Sequence, residues 1–116
     1  MSQCIEMSEQ VSFKDFKKLD IRIGTVKECV QVKGSDKLYT FQVDMGDEVR
    51  QIVTSLVDYY TAEELTGKRI AVVMNLKPAK IFGQMSYGML LAAETKEGDL
   101  ALLTTDNPIA DGARVT

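Results

Sequence analysis

Between Leu38 and Met45 the chain alternates in twos. Tyr39, Phe41, Val43 and Met45 share one parity, and Thr40, Gln42 and Asp44 the other. Successive side chains then point to opposite faces, which is the period of a half-buried β-strand and not of a helix. The 116 residues are enough for one domain with one core, so this run must belong to a small unit built mainly of strands.

The rest of the chain agrees. In D-I-R-I-G-T-V-K-E-C-V-Q-V, Ile21 and Ile23 lie on one parity and Val26, Val30 and Val32 on the other. A glycine at such a break predicts a bulge or sharp bend at Gly24, as a long first strand needs to serve two sheets. D-M-G-D-E supplies a turn, with Asp44, Asp47 and Glu48 read as a solvated hairpin tip, and Val49 to Thr54 returns as a third strand. Thr61 with Glu64 three residues on is a capping box opening a short helix, which Gly67 ends. Arg69 to Leu76 contains I-A-V-V-M and reads as a strand buried on both faces. Tyr87 to Ala93 is a fifth strand and Leu100 to Thr104 a short further one, while Pro108 to Val115 is a turn-rich tail pairing at an edge. Ser12 and Asp15 form a capping signal ahead of Phe13, Phe16 and Leu19, whose spacing predicts a short helix ending near Leu19. A helix between the third and fourth strands of a five-stranded barrel is the arrangement of an OB-fold, an all-β class.

The chemistry available to this chain is narrow. It has no histidine, which removes the usual mixed zinc site and the His general base. Its two cysteines, Cys4 and Cys29, have no metal spacing; Cys29 reads as an inert strand residue, and a disulfide between them is disfavoured in a reducing compartment. There is no Walker A loop, no Gly-x-Gly-x-x-Gly and no Ser-x-x-Lys nucleophile motif. A non-enzyme without cofactor or metal is expected. No apolar run reaches the roughly 18 residues of a membrane span, and the acidic start M-S-Q-C-I-E-M-S-E-Q is no signal peptide, so the expected location is cytoplasmic.

Charge is unevenly spread. The chain carries net −3, yet from Leu65 to Ala93 it has Lys68, Arg69, Lys77 and Lys80 and no acid, leaving −7 for the remainder. Within this segment the loop Leu76–Gly83 joins the last two barrel strands, at the rim where OB-folds bind nucleic acid. Pro78 fixes the backbone between Lys77 and Lys80, holding two ammonium groups apart as neighbouring phosphates require. Two roles are open to Asn75: a hydrogen bond to a base edge or 2′-hydroxyl, or satisfaction of its own loop's backbone. Ser86 and Met89 would face opposite ways on a straight strand, and reach one ligand only if the chain bends near Gly88 or Ser86 precedes the strand. Met89 otherwise belongs to the core. Phe82 and Tyr87 are candidate stacking surfaces, whereas Tyr59 and Tyr60 pack over the barrel end.

These residues carry a resemblance. D-I-R-I-G-T-V, S-D-K-L-Y-T-F-Q-V-D-M-G, R-Q-I-V-T-S-L, Y-Y-T-A-E-E-L-T-G-K-R-I, N-L-K-P-A-K and S-x-x-M-L-L-A are together similar to the tRNA-binding domain family. That family includes free-standing structure-specific tRNA-binding proteins and the C-terminal domain of bacterial methionyl-tRNA synthetase. The similarity runs from about Phe13 to Glu94, N-L-K-P-A-K being its most specific part. It implies one domain over 1–116, with a barrel over about 13–94. The flanks 1–12 and 95–116 would lie in a homodimer contact. It implies shape-selective, non-catalytic tRNA binding, alone or beside an aminoacyl-tRNA synthetase partner. It assigns RNA contact to Asn75, Lys77, Lys80, Ser86 and Met89. The family often has Lys-x-Arg-Gly where this chain has Lys80-Ile81-Phe82-Gly83, which leaves Phe82 either to substitute stacking for charge or to mark a protein-contact surface. Two other functions remain open: an OB-fold chaperone holding peptides on a face of Met74, Met85, Met89, Phe82 and Tyr87, and a purely structural dimerisation subunit.

Overall fold

The computed structural model describes residues 9–116. Its centre is a curled antiparallel sheet of five strands in the order β3-β2-β1-β4-β7. These are β1 (Ile21–Gln31), β2 (Tyr39–Asp44), β3 (Val49–Thr54), β4 (Arg69–Val73) and β7 (Met89–Leu90). Two short hairpins are added, one of β5 (Ala79–Ile81) with β6 (Gln84–Ser86), the other of β8 (Ala92–Glu94) with β9 (Leu100–Leu102). Helix α1 (Phe13–Phe16) precedes β1 and α2 (Ala62–Leu65) separates β3 from β4. The result is an all-β, OB-like fold.

The alternating run of β2 does what its period dictates. Tyr39, Phe41, Val43 and Met45 are all buried, while Thr40, Gln42 and Asp44 are half-exposed. They pack with Val26, Ile52, Leu56, Leu65, Ile70, Val72, Met74 and Leu90 into one core inside the curl. β4 is buried on both faces, as its apolar run requires: Ala71 and Val73 turn the other way and join Ile21, Ile23 and Leu91 in a second cluster. Each fully buried Val, Leu, Ile, Phe or Met contributes about 1.5–3 kcal/mol relative to exposure. α2 opens on the expected reciprocal cap, Glu64 N–H to Thr61 Oγ1 at 3.1 Å and Thr61 N–H to Glu64 Oε1 at 2.8 Å. The bond from the Thr61 amide holds the Glu64 carboxyl below its usual pKa.

Four expectations need correction. The bulge of β1 is at Lys27, left unpaired between Val26↔Val43 and Glu28↔Gln42, and not at Gly24. After it Cys29 turns toward the core and Val30 outward, so Val30 does not share a face with Val26. Burial raises the Cys29 thiol pKa to about 11, which keeps it an unreactive thiol. Cys4 lies outside the described residues. The expected fifth strand, Tyr87 to Ala93, is split into β7 and β8, because Leu91 bonds back to Ala71 while Ala92 already pairs with Leu102. The α1 segment is helical only to Phe16, and its Phe13, Phe16 and Leu19 stripe is exposed.

The tail is woven into the sheet. Gly112 N–H donates to Ile23 O, Ile23 N–H to Ala113 O, and Val115 N–H to Ile21 O, so residues 112–115 occupy the edge of β1 opposite β4, along the stretch where β2 does not pair. Thr25 Oγ1 donates to Asp111 Oδ1 at 2.6 Å in the same turn.

Gly24 has a different use from the one its position suggested. A Cβ there would run into Met45 Sδ and stand 2.8 Å from Val43 Cγ1 and 2.9 Å from Asp44 O. Its lack of a side chain lets β1 and β2 cross closely at the bend. Gly24→Ala is expected to destabilise the fold by about 1–3 kcal/mol through overpacking, read as a lower urea midpoint with an unchanged slope.

Candidate nucleic-acid interface

The segment Asn75–Met89 leaves the sheet after β4, forms the β5–β6 hairpin and returns as β7. Its base is pinned at three places. Asn75 Oδ1 accepts from Asp20 N–H at 2.8 Å, and its Nδ2 donates to Lys18 O at 2.6 Å. Both halves of the amide therefore hold the approach to β1 against the end of β4, and the backbone groups they satisfy are those of residues 18 and 20 and not of Asn75's own loop.

Ser86 is the second pin. It is 3% exposed. Its Oγ accepts from Val53 N–H at 2.9 Å and donates to Gly88 O at 3.1 Å. A serine hydroxyl thus takes the place of a backbone carbonyl in closing β3 onto β6, and Tyr87 N–H donates to Gln51 O beside it. The strand is interrupted between β6 and β7, at Tyr87 and Gly88, yet Ser86 faces inward and Met89 outward at 50% exposure. The two do not converge on one surface, and Met89 is not a core residue.

Arg50 is the third pin, and nothing in its local sequence singled it out. Its Nη1 donates to Met74 O at 2.7 Å and to Tyr87 O at 3.2 Å, while Nη2 bonds both oxygens of Glu48. One guanidinium therefore holds both ends of the 75–87 segment. Only a fold that brings β3 under those two carbonyls gives the residue this use. Gln51 adds a bond from Nε2 to Met85 O at 2.8 Å and accepts from Gln42 Nε2 at 3.0 Å.

Beyond the pins the cations are exposed. Lys77 and Lys80 are both at the surface and enter no ion pair among the described residues. A groove of about 440 Å³ runs beside them, lined by Gln42, Arg50, Gln51, Leu76, Pro78 and Tyr87 among others. Glu48, which also lines it, is engaged by Arg50. At the hairpin tip Phe82 and Gly83 have φ of 50° and 81°, the positive pair that a two-residue type I′ turn demands. Left-handed backbone costs a residue with a side chain roughly 1–2 kcal/mol. Of the five surface residues proposed for a peptide face, Met74 is buried and Met85 half-buried, leaving Phe82, Tyr87 and Met89 exposed. Tyr60 caps the barrel end as expected, its hydroxyl accepting from Leu102 N–H at 3.1 Å.

Ser86→Ala is expected to cost about 1–3 kcal/mol by leaving the buried Val53 N–H without an acceptor. Chemical denaturation together with faster amide exchange at Val53 would read it; an unchanged midpoint would show that the closure does not depend on the hydroxyl.

Comparison with known proteins places this geometry. Residues 21–114 match the family described as "Putative tRNA binding domain". Methionine–tRNA ligase of Archaeoglobus fulgidus is 50% identical over 111 residues, covering 96% of this chain and 17% of that protein. The chain thus spans about a sixth of the length of such curated relatives. Among solved structures, a MetRS-related protein from Pyrococcus horikoshii superposes with TM-score 0.89 at 39% identity, over 94% of this chain and 100% of that one. Chaperone CsaA from Bacillus anthracis does so with TM-score 0.86 at 27% identity, over 93% and 100% respectively.

Proposed function

The chain belongs to the tRNA-binding domain family, and on that premise we propose that it is a non-catalytic, shape-selective tRNA-binding protein, acting alone or as an accessory subunit of an aminoacyl-tRNA synthetase. The observation that carries the reading is the pair of exposed ammonium groups of Lys77 and Lys80, without an ion-pair partner among the described residues, on an acid-free arm whose base is pinned by hydrogen bonds. Point charges fixed in place neutralise phosphates at set spacings without reading bases, which favours recognition of RNA shape. The exposed Met89 and the groove lined by Leu76, Pro78 and Tyr87 complete the contact surface. Asn75, Ser86 and Arg50 serve it indirectly, by holding the arm's base.

A protein of net charge −3 attracts RNA weakly overall, so avidity matters. Phe13, Phe16 and Leu19 with Val115 line an apolar groove of about 340 Å³ on the flanks of the barrel. We assign this surface to a homodimer contact, which places two cationic arms on one RNA and raises affinity without new chemistry. Sedimentation is expected to give twice the chain mass, and Phe16→Asp to give the monomer with weaker tRNA binding.

The likeness to CsaA favours a second reading, a peptide-holding chaperone, and salt separates the two. Phosphate binding weakens steeply as salt rises, whereas an apolar peptide contact does not. Filter binding is expected to show bulk tRNA retained over duplex DNA at low salt and released as salt increases. Lys77→Glu with Lys80→Glu is expected to abolish retention while the fold and sedimentation stay as in the wild type. Equal tRNA affinity for wild type and double variant would falsify the site.

A further inference from the structure

The tip of the arm holds a residue that charge does not explain. Phe82 occupies the first central position of a two-residue turn with φ 50°, where Asn, Asp or Gly is the ordinary choice. Its ring is 58% exposed and does not bury itself in the core. It does not hang free either: a Cβ on Gly34, in the β1–β2 turn, would stand 3.4 Å from Phe82 Cε2 and 3.8 Å from Cζ. The aromatic ring therefore lies against the space a side chain on Gly34 would fill, Gly34 itself being at φ 86°.

Its surroundings suit a nucleic-acid base. Lys33 precedes Gly34, Lys80 stands two residues before Phe82, and both are exposed. Gln84, on the other side of the turn, lines a groove of about 300 Å³ with Lys33, Thr40 and Gln42. Lys33 and Glu28 are the charged groups along that groove; the rest are amides, a hydroxyl and valines. Phe82 does not itself line that groove, but it lies two residues from Gln84 and its ring is against Gly34, next to Lys33. An aromatic face thus stands near amide donors and acceptors and ammonium groups, with one carboxylate, Glu28, along the groove. Such a face with amides and ammonium groups is how proteins hold an unstacked base. A peptide-binding groove would instead present continuous apolar surface.

We propose that Phe82 is a stacking platform for one unpaired base of the bound RNA, seated at the crevice between the β5–β6 hairpin and the β1–β2 turn. Locally strained backbone is retained at the tip because it aims the ring, and Gly34 buttresses the side that RNA does not touch. The platform adds base contact to an interface that otherwise grips phosphates, so it selects an RNA with an unstacked nucleotide at that distance from the lysines. It rests on the tRNA-binding reading above.

The absence of tryptophan gives the test a clean signal. F82W introduces a single indole at the platform, and saturating tRNA is expected to quench its fluorescence. F82N removes the ring while giving the turn its preferred Asn-Gly pair, so its thermal midpoint should match or exceed the wild type. Its tRNA affinity should fall about 5- to 140-fold, the equivalent of about 1–3 kcal/mol for one stacked base. Unlike reversal of the lysines, F82N should leave the slope of log affinity against log salt unchanged, because no phosphate contact is lost. Unquenched F82W fluorescence at tRNA concentrations that saturate filter binding would overturn the platform, as would an F82N affinity within twofold of the wild type. Both results leave tRNA binding itself standing. Failure of the wild type to bind tRNA at all would remove both readings, and quenching by an unfolded polypeptide in place of tRNA would assign the ring to a protein partner and overturn this one.

Discussion

A curled five-stranded sheet has two edges, and the cationic arm can be rigid only if they are held together. β3 does this with side chains as well as backbone. Val53 gives its N–H to Ser86 Oγ, Gln51 reaches Met85 O, and Arg50 spans Met74 O and Tyr87 O. A regular ladder would have forced β6 and β7 to run on as one strand. Side-chain acceptors and donors allow the chain to break at Gly88 and still leave no buried amide unpaired on Val53. The same bonds set where the hairpin projects, so the fold's closure and the arm's position are one structural event.

That arrangement divides the polar residues of the segment by depth. Asn75, Ser86 and Arg50 direct hydrogen bonds to backbone groups at the base, while the ammonium groups of Lys77 and Lys80 bond no partner among the described residues and face outward. Substitutions at the base and at the rim therefore differ in kind. The first loosen geometry, and the second remove charge at constant geometry. A phosphate-binding surface built of point charges depends on this distinction, since two lysines on a mobile loop would lose in ordering entropy much of what they gain in attraction. The stretch from Leu65 to Ala93 contributes four cations and no acid on a chain that is negative overall, and Glu48, which lines the adjoining groove, is paired with Arg50.

The flanks show how thin the boundary is between barrel and appendage. Residues 112–115 are hydrogen-bonded along β1, and Gly46 and Gly112 approach the opposing backbones so closely that a Cβ on either would meet a carbonyl oxygen, at 2.6 and 2.7 Å. The tail is thus part of the sheet's structure while its last residues contribute Val115 to the apolar groove with α1. That groove adjoins the pinned base of the arm, since Leu19 lines it between the two residues, Lys18 and Asp20, that Asn75 holds.

By itself the sequence determined whatever depends on neighbours a few residues apart. The period of two in β2, the Thr61–Glu64 cap, the positive-φ glycine at Gly67, the two-faced burial of β4 and the position of the cationic loop were all legible, because each is written in local spacing. The tertiary structure alone decided the rest. Ser86 is an acceptor for an amide 33 residues away, and Asn75 clasps Lys18 and Asp20 across 57 and 55 residues. Arg50 finds its two carbonyls only when β3 is brought under the ends of the arm, Gly24 is required by the crossing of β2 and not by its own strand, and Met89 faces outward because Leu90 takes the core side of β7. Pairings across such separations are set by which edges of the sheet meet, and no local pattern carries that information.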